Sequence, residues 1–243
     1  MRCLVTGAAG FIGSNLVDKL VALGHKVVAV DNLETGKKSN LKKSINKIIF
    51  KRIDIKKINE KKNKKLFNKI DWVFHLAGLA DIVPSIKNPK DYYETNVTGT
   101  LNMLELSKRI KIKKFIYAAS ASCYGIPKKF PTKEDDMKDP KYPYALTKLI
   151  GEQLVLHWAN VYKMPNLSLR FFNVYGPRSR TSGAYGAVFG VFLAQKINNA
   201  PLTIVGNGKQ TRDFIFIDDL INALINAAKS KHKNKSYNIG SGK

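Results

Sequence analysis

Acidic residues are scarce in this chain: 18 Asp and Glu stand against 42 Lys and Arg in 243 residues, a formal charge of +24. Cysteine is scarcer still. Cys3 and Cys123 have no metal-ligand spacing and two thiols make no disulfide framework, so a reducing compartment fits and no metal site is expected. No run of about 20 apolar residues occurs, which excludes a membrane-spanning helix. The chain opens directly on a strand-like run, MRCLVTG, and not on a leader. The expectation is a cytoplasmic protein. Its 44% hydrophobic and 25% charged residues are ordinary for a globular chain, and the length suits one large α/β domain or slightly more.

The positive charge invites a nucleic-acid reading, and its distribution argues against one. Between Lys37 and Lys69, 13 lysines and one arginine meet only Asp54 and Glu60. They are interspersed with Asn and Ile, not with aromatics that could stack on bases. Solvated faces explain this composition, and neither nucleic acid nor membrane is expected as a partner. A positive surface still favours the approach of phosphorylated substrates.

Short apolar runs alternate with amphipathic segments, the pattern of βαβ units. RCLVTG, KVVAVD, IIFKRIDI, DWVFHLAG, KKFIYAAS and NLSLRFFN read as six strands. Helices are expected over 11–23, closed by Gly24, over 91–108, and over 142–162, entered past Pro140 and Pro143. A Lys-rich helix should follow the third strand. After Gly176 a glycine-rich connection leads to an apolar helix over 188–197, a strand PLTIVG, the run RDFIFIDD, a final helix and the short strand SYNIG. The fold class is α/β: a Rossmann-like, doubly wound parallel sheet spanning 1–175, with a smaller substrate lobe over 176–243. Residues 218–239 are expected to pack back on the first domain.

Tyr144 and Lys148 lie four apart in PYALTK, so on a helix they share a face. A phenol titrates near 10 and is a poor base at neutral pH. A cation about 4 Å away contributes roughly 4 kcal/mol at an effective dielectric of 20, enough to lower a phenol by about three pH units. Such a pair can take a proton from a sugar or alcohol hydroxyl. Ser120 precedes them in the small-residue run AASAS.

The first βα turn, TGAAGFIGSN, sets Gly7, Gly10 and Gly13 between a strand and a helix. Glycines there let backbone approach a pyrophosphate, and the helix start offers free N–H donors. Asp31 ends the next strand, where a carboxylate grips a ribose diol and repels a 2′-phosphate, so NAD is favoured over NADP. His75, in the fourth strand, reads as a satisfied core histidine.

In chain order, TGAAGFIG, DNLETG, HLAG, NVTGT, AASASCYG, YALTK, RFFNVYGPR and GKQTRDFIFIDD resemble the extended short-chain dehydrogenase/reductase family, in particular its NAD-dependent sugar-nucleotide epimerases. By position, the resemblance implies that Gly7, Gly10, Phe11, Ile12, Gly13, Asp31 and Asn32 bind NAD. Asp54 and Ile55 would flank the adenine, Leu76, Ala77 and Asn96 would line the cofactor, and Lys148 would hold the nicotinamide ribose. Ser120, Tyr144 and Lys148 match the catalytic trio: Tyr144 as phenolate deprotonates the sugar C4 hydroxyl, Ser120 bonds the same oxygen, and hydride leaves C4 and returns to the other face.

Relatives that eliminate water place acids directly after the catalytic hydroxyl, and decarboxylase-like relatives keep one two positions on. Ala121 and Ser122 stand there in this chain, which favours plain epimerisation of UDP-glucose/UDP-galactose type. The resemblance also implies substrate contacts at Asn173, Arg212, Thr203 and Val205, leaves Arg178 and Arg180 open between diphosphate and solvent, and implies a homodimer through helices 91–108 and 142–162. Relatives continue past the point where this sequence stops, so an incomplete substrate lobe is expected. Two alternatives stand beside this reading: another nucleotide-sugar epimerase, dehydratase or reductase of the same scaffold, acting on UDP-N-acetylglucosamine, UDP-glucuronate or a dTDP-sugar, or a non-catalytic NAD-binding protein or inactive fragment.

Overall fold

Nine strands appear among the described residues: β1 (Arg2–Thr6), β2 (Lys26–Asp31), β3 (Ile48–Arg52), β4 (Trp72–His75), β5 (Lys114–Ser120), β6 (Asn166–Phe171), β7 (Asn173–Tyr175), β8 (Phe214–Phe216) and β9 (Lys235–Ile239). The computed structural model describes residues 1–58, 65–127, 129–179, 188–204 and 206–242. Seven of the strands form one sheet in the order β3-β2-β1-β4-β5-β6-β9, and β7 and β8 pair separately. Every pairing is parallel.

Parallel strands buried on both faces explain why these segments read as unbroken apolar runs. Cys3, Val5, Val27, Ala29, Trp72 and Phe74 turn to one face. Their neighbours Leu4, Val28, Val30 and Val73 turn to the other. The first face is closed by α1 (Phe11–Ala22) with Leu16 and Leu20, and by Leu220 and Leu224 of the closing helix Ile217–Lys229. The second is closed by Met103 and Leu104 of helix Gly99–Arg109 and by Val155 of the long helix Pro143–Val161. Each such side chain contributes about 1.5–3 kcal/mol on burial. Because β9 pairs with β6 from Leu167↔Lys235 to Phe171↔Ile239, the end of the chain returns to the large sheet.

The order reverses at β1, flanked by β2 and β4, so the connections leave on opposite faces. A crevice opens at the carboxyl ends of the strands there, the place where open α/β sheets bind ligands.

Two expectations differ from what is seen, and a third lies largely outside the described residues. The helix expected over 91–108 is Pro89–Tyr93, a π-helical turn Glu94–Thr98, and Gly99–Arg109. PLTIVG forms no strand over the described residues 201–204, all of which are exposed. Over the described residues its apolar run pairs with no strand, and a strand is stable only on a partner. The Lys-rich helix falls largely on 59–64, and Arg180 and Val205 likewise lie outside the described residues.

Candidate active site

The glycine turn is built by close approach. Gly7 has φ +66°, and a Cβ on it would sit 2.8 Å from the Ala77 nitrogen; one on Gly13 would lie 2.0 Å from the Gly7 oxygen. No larger residue fits either position without moving backbone. Helix α1 starts at Gly10 with no side-chain cap and no acid in its first turn, so its amino end, with the partial positive charge of its N–H groups, is left for an anion. Asp31 is buried at the end of β2. Its two oxygens accept from the backbone N–H groups of Ala9 and Leu33, each at 2.8 Å, which tie the carboxylate to the turn.

A cleft of about 1070 Å³ runs from this turn across the sheet's carboxyl edge. Gly7, Gly10, Phe11, Ile12, Gly13, Asp31, Asn32, Asp54, Ile55, Leu76 and Ala77 line one part of it; Ser120, Tyr144, Lys148, Asn173, Arg178 and Arg212 line the rest. The volume reaches the top of the range for small-ligand pockets, enough for a dinucleotide with a second ligand beside it. With the free helix end and the strand-end acid, the residues present fit NAD.

Other expected contacts stand elsewhere. Asn96, in the π-helical turn, is buried behind the cleft wall. Its amide accepts from Leu79 N at 2.9 Å and donates to Leu79 O and the Thr147 hydroxyl, so it fixes the loop that carries Leu76 and Ala77. Thr203 is exposed, away from the cleft, with its hydroxyl accepting from Gln195 at 2.6 Å. Arg178 touches the cleft, but its guanidinium donates to Asp18 of α1 at 2.5 Å. The backbone oxygen of Pro177 also accepts from Asn15 of that helix. Asn173 donates to Asp213 O at 2.8 Å, and Arg212 is exposed on the cleft rim.

Ser120 ends β5, and Tyr144 and Lys148 face it from the first turns of the long helix, which Pro143 opens. Both sides of the site are therefore held by buried elements. The Ser120 oxygen accepts from the Ser122 N–H at 3.2 Å and from the Ser122 hydroxyl at 2.8 Å. Ser122 lies on the 3₁₀ turn Ala121–Tyr124. Sequence reasoning passed over it as a position without a carboxyl; its signal was the second hydroxyl in AASAS.

The electrostatics correct one expectation. Burial pushes the Tyr144 phenol up, against the pull of hydrogen bonds with Ser120 and Ser122, while Asp81 and Cys123 raise it further. Lys148 is not what tunes it in the protein without cofactor. Lys148 is itself pushed down to about 8 by burial, with Glu152 opposing, and its ammonium lies 4.6 Å over the Tyr117 ring. His75 is wholly buried between the Thr6 and Thr100 hydroxyls at 2.8 and 3.0 Å. Burial lowers it to about 3, so it stays neutral. It serves the core.

The lowered Lys148 carries a stability consequence. Its charged form is penalised in the folded protein, fully so below pH 8, and the penalty fades as pH rises from about 8 toward the ordinary lysine value of 10.5. The penalty is on the order of 3 kcal/mol. Lys148→Met should therefore raise Tm of the cofactor-free protein at pH 7, and the gain should shrink by pH 10. Thermal melts at both pH values read this directly.

Comparison with known proteins agrees with this geometry. The family described as NAD dependent epimerase/dehydratase matches residues 3–240. The UDP-glucose 4-epimerase of Mycolicibacterium smegmatis is 35% identical over 244 residues, covering 100% of this chain and 78% of that protein. The structure of UDP-N-acetylglucosamine 4-epimerase from Methanobrevibacter ruminantium, in complex with UDP-N-acetylmuramic acid, superposes with a TM-score of 0.94 at 33% identity, covering 100% of this chain and 77% of that one. A tyrosine-to-phenylalanine variant of UDP-glucuronic acid 4-epimerase from Bacillus cereus, with UDP-4-deoxy-4-fluoro-glucuronic acid and NAD, gives 0.90 at 36% identity, covering 100% and 78%. Glycine turn, strand-end acid and Ser-Tyr-Lys wall thus occur on a chain matched almost end to end. It belongs to the NAD-dependent epimerase/dehydratase family.

Proposed function

We propose that this protein epimerises a UDP-linked sugar at C4, of the UDP-glucose/UDP-galactose type, through a transient 4-keto sugar. The observation that carries this reading is the convergence of Ser120, Tyr144 and Lys148 on one cleft whose next two positions, Ala121 and Ser122, hold no carboxyl. NAD, when bound, supplies the hydride acceptor and donor. Tyr144 Oη receives the C4 hydroxyl proton and later returns it. Ser120 donates to the same oxygen, which stabilises the negative charge that develops there. Tyr144 must be phenolate before it takes that proton, and Lys148, whose ammonium would also hold the nicotinamide ribose, would put positive charge beside that phenolate. Arg212 and Asn173 reach the diphosphate from the rim, where a guanidinium fork suits phosphate oxygens. Relatives act on glucose, N-acetylglucosamine and glucuronate.

The reading is tested by incubating the NAD-loaded protein with UDP-glucose, UDP-N-acetylglucosamine and UDP-glucuronate and following products by proton NMR. Interconversion of C4 epimers is expected. A 4-keto-6-deoxy sugar, a pentose, or no turnover while NAD binds would overturn it.

A further inference from the structure

We propose that Ser122 is a positioning residue that fixes the hydroxyl proton of Ser120 toward the reacting oxygen. This inference rests on the epimerase reading for its kinetic consequence and on geometry alone for its physical one.

A serine hydroxyl has one proton to give and two lone pairs to receive. The Ser120 oxygen accepts from Ser122 twice, from the backbone N–H at 3.2 Å and from the hydroxyl at 2.8 Å. Both acceptor directions are then taken, and what remains is the Ser120 proton. It points toward the Tyr144 oxygen, with which Ser120 and Ser122 each share a hydrogen bond. A sugar C4 oxygen entering beside Tyr144 meets a serine that can only donate. A ketone oxygen accepts and never donates, so this polarity favours the charge that develops as hydride leaves C4. A Ser120 without its neighbour could rotate and accept the sugar's proton instead, which does nothing for the developing ketone.

The turn that carries Ser122 is held at its far end. Tyr124 donates from its hydroxyl to Asn238 of β9 at 2.7 Å, and Arg170 of β6 donates to that same hydroxyl at 2.5 Å. The Asp139 N–H bonds Cys123 O at 2.9 Å. Ser122 is thus one residue from a clamped backbone and two from a buried tyrosine. Its hydroxyl is aimed by the fold, not by chance of rotamer.

The test uses Ser122→Ala, Ser122→Thr, Ser120→Ala and the Ser120→Ala/Ser122→Ala double variant in the full chain loaded with NAD. Ser122→Ala should lower kcat roughly three- to tenfold, the worth of one hydrogen bond, with KM unchanged and the rising limb of the pH–rate profile moved to higher pH. Ser122→Thr should restore both. The double variant should be slower than Ser120→Ala by clearly less than the Ser122→Ala loss, because Ser122 acts mainly through Ser120 and only in part on the Tyr144 phenol itself. Independently of any sugar, carbon-13 NMR of ring-labelled tyrosine should show Tyr144 titrating at higher pH in Ser122→Ala than in the parent. If the parent epimerises no sugar, the functional reading fails while this titration still judges the Ser122 arrangement. A Ser122→Ala protein with the parent's kcat and the parent's Tyr144 titration, or a double variant slower by the product of the two single losses, would overturn the proposal.

Discussion

Tyr144→Phe is expected to cut epimerase turnover roughly 100- to 10,000-fold, the usual weight of one positioned acid–base group. The ring stays in place and only its oxygen goes, so NAD affinity and the fold should hardly change. Burial keeps the phenol neutral in the cofactor-free protein, pushed up despite the two serine hydroxyls that bond it. The site therefore loses a proton acceptor, not a charge it depends on for folding. Progress curves by NMR, with NAD binding followed by fluorescence, separate the two effects. Residual turnover within a few-fold of the parent would mean that another group takes the C4 proton, and the mechanism would need a different base.

Arg170→Met is the largest stability change expected, a loss of about 3–5 kcal/mol. Arg170 projects from β6 and is 4% exposed; Glu152, on the long helix, is 3% exposed. Its guanidinium forks onto both Glu152 oxygens at 2.6–3.2 Å and reaches the Tyr124 hydroxyl and Glu134 O. Removing it leaves a buried carboxylate whose remaining hydrogen bond among the described residues is from the Ser168 hydroxyl at 2.7 Å, with Lys148 one helical turn away as its remaining positive neighbour. At this chain length the loss reads as roughly 10 °C in Tm. A double variant, Arg170→Met with Glu152→Leu, should recover most of it, because a well-packed apolar pair replaces two ions without a stranded charge. If calorimetry finds the single variant as stable as the parent, the pair is not the brace described. Glu152 sits one helical turn beyond Lys148, where its charge opposes the lowering that burial imposes on that lysine.

The large sheet was legible because parallel strands, buried on both faces, spell continuous apolar runs. The glycine turn was legible because only glycine suits Gly7 and Gly13, where backbone comes within contact of backbone. PLTIVG misled for a related reason: its composition matches a strand, but residues 201–204 are exposed and unpaired. Hydropathy reports burial and cannot report a partner edge. The π-helical turn at Glu94–Thr98 left no trace in helical periodicity, which tolerates one extra residue. Arg178 was left open between diphosphate and solvent, and Asn96 was placed at the cofactor only by resemblance. Their partners, Asp18 and Leu79, are chosen by the fold. The four-residue spacing of Tyr144 and Lys148 did place both on one wall. It could not show that burial, and not their mutual charge, governs the phenol and the ammonium alike.

The central claim is that hydrogen leaves C4 and returns to the same carbon, on the opposite face, without entering water. The most direct measurement uses a UDP-sugar deuterated at C4, incubated with the NAD-loaded protein in ordinary water and read by NMR. The account predicts the C4 epimer with deuterium retained at C4. Deuterium washed out into solvent, or a product altered at C5 or C6 with C4 left as a ketone, would contradict it.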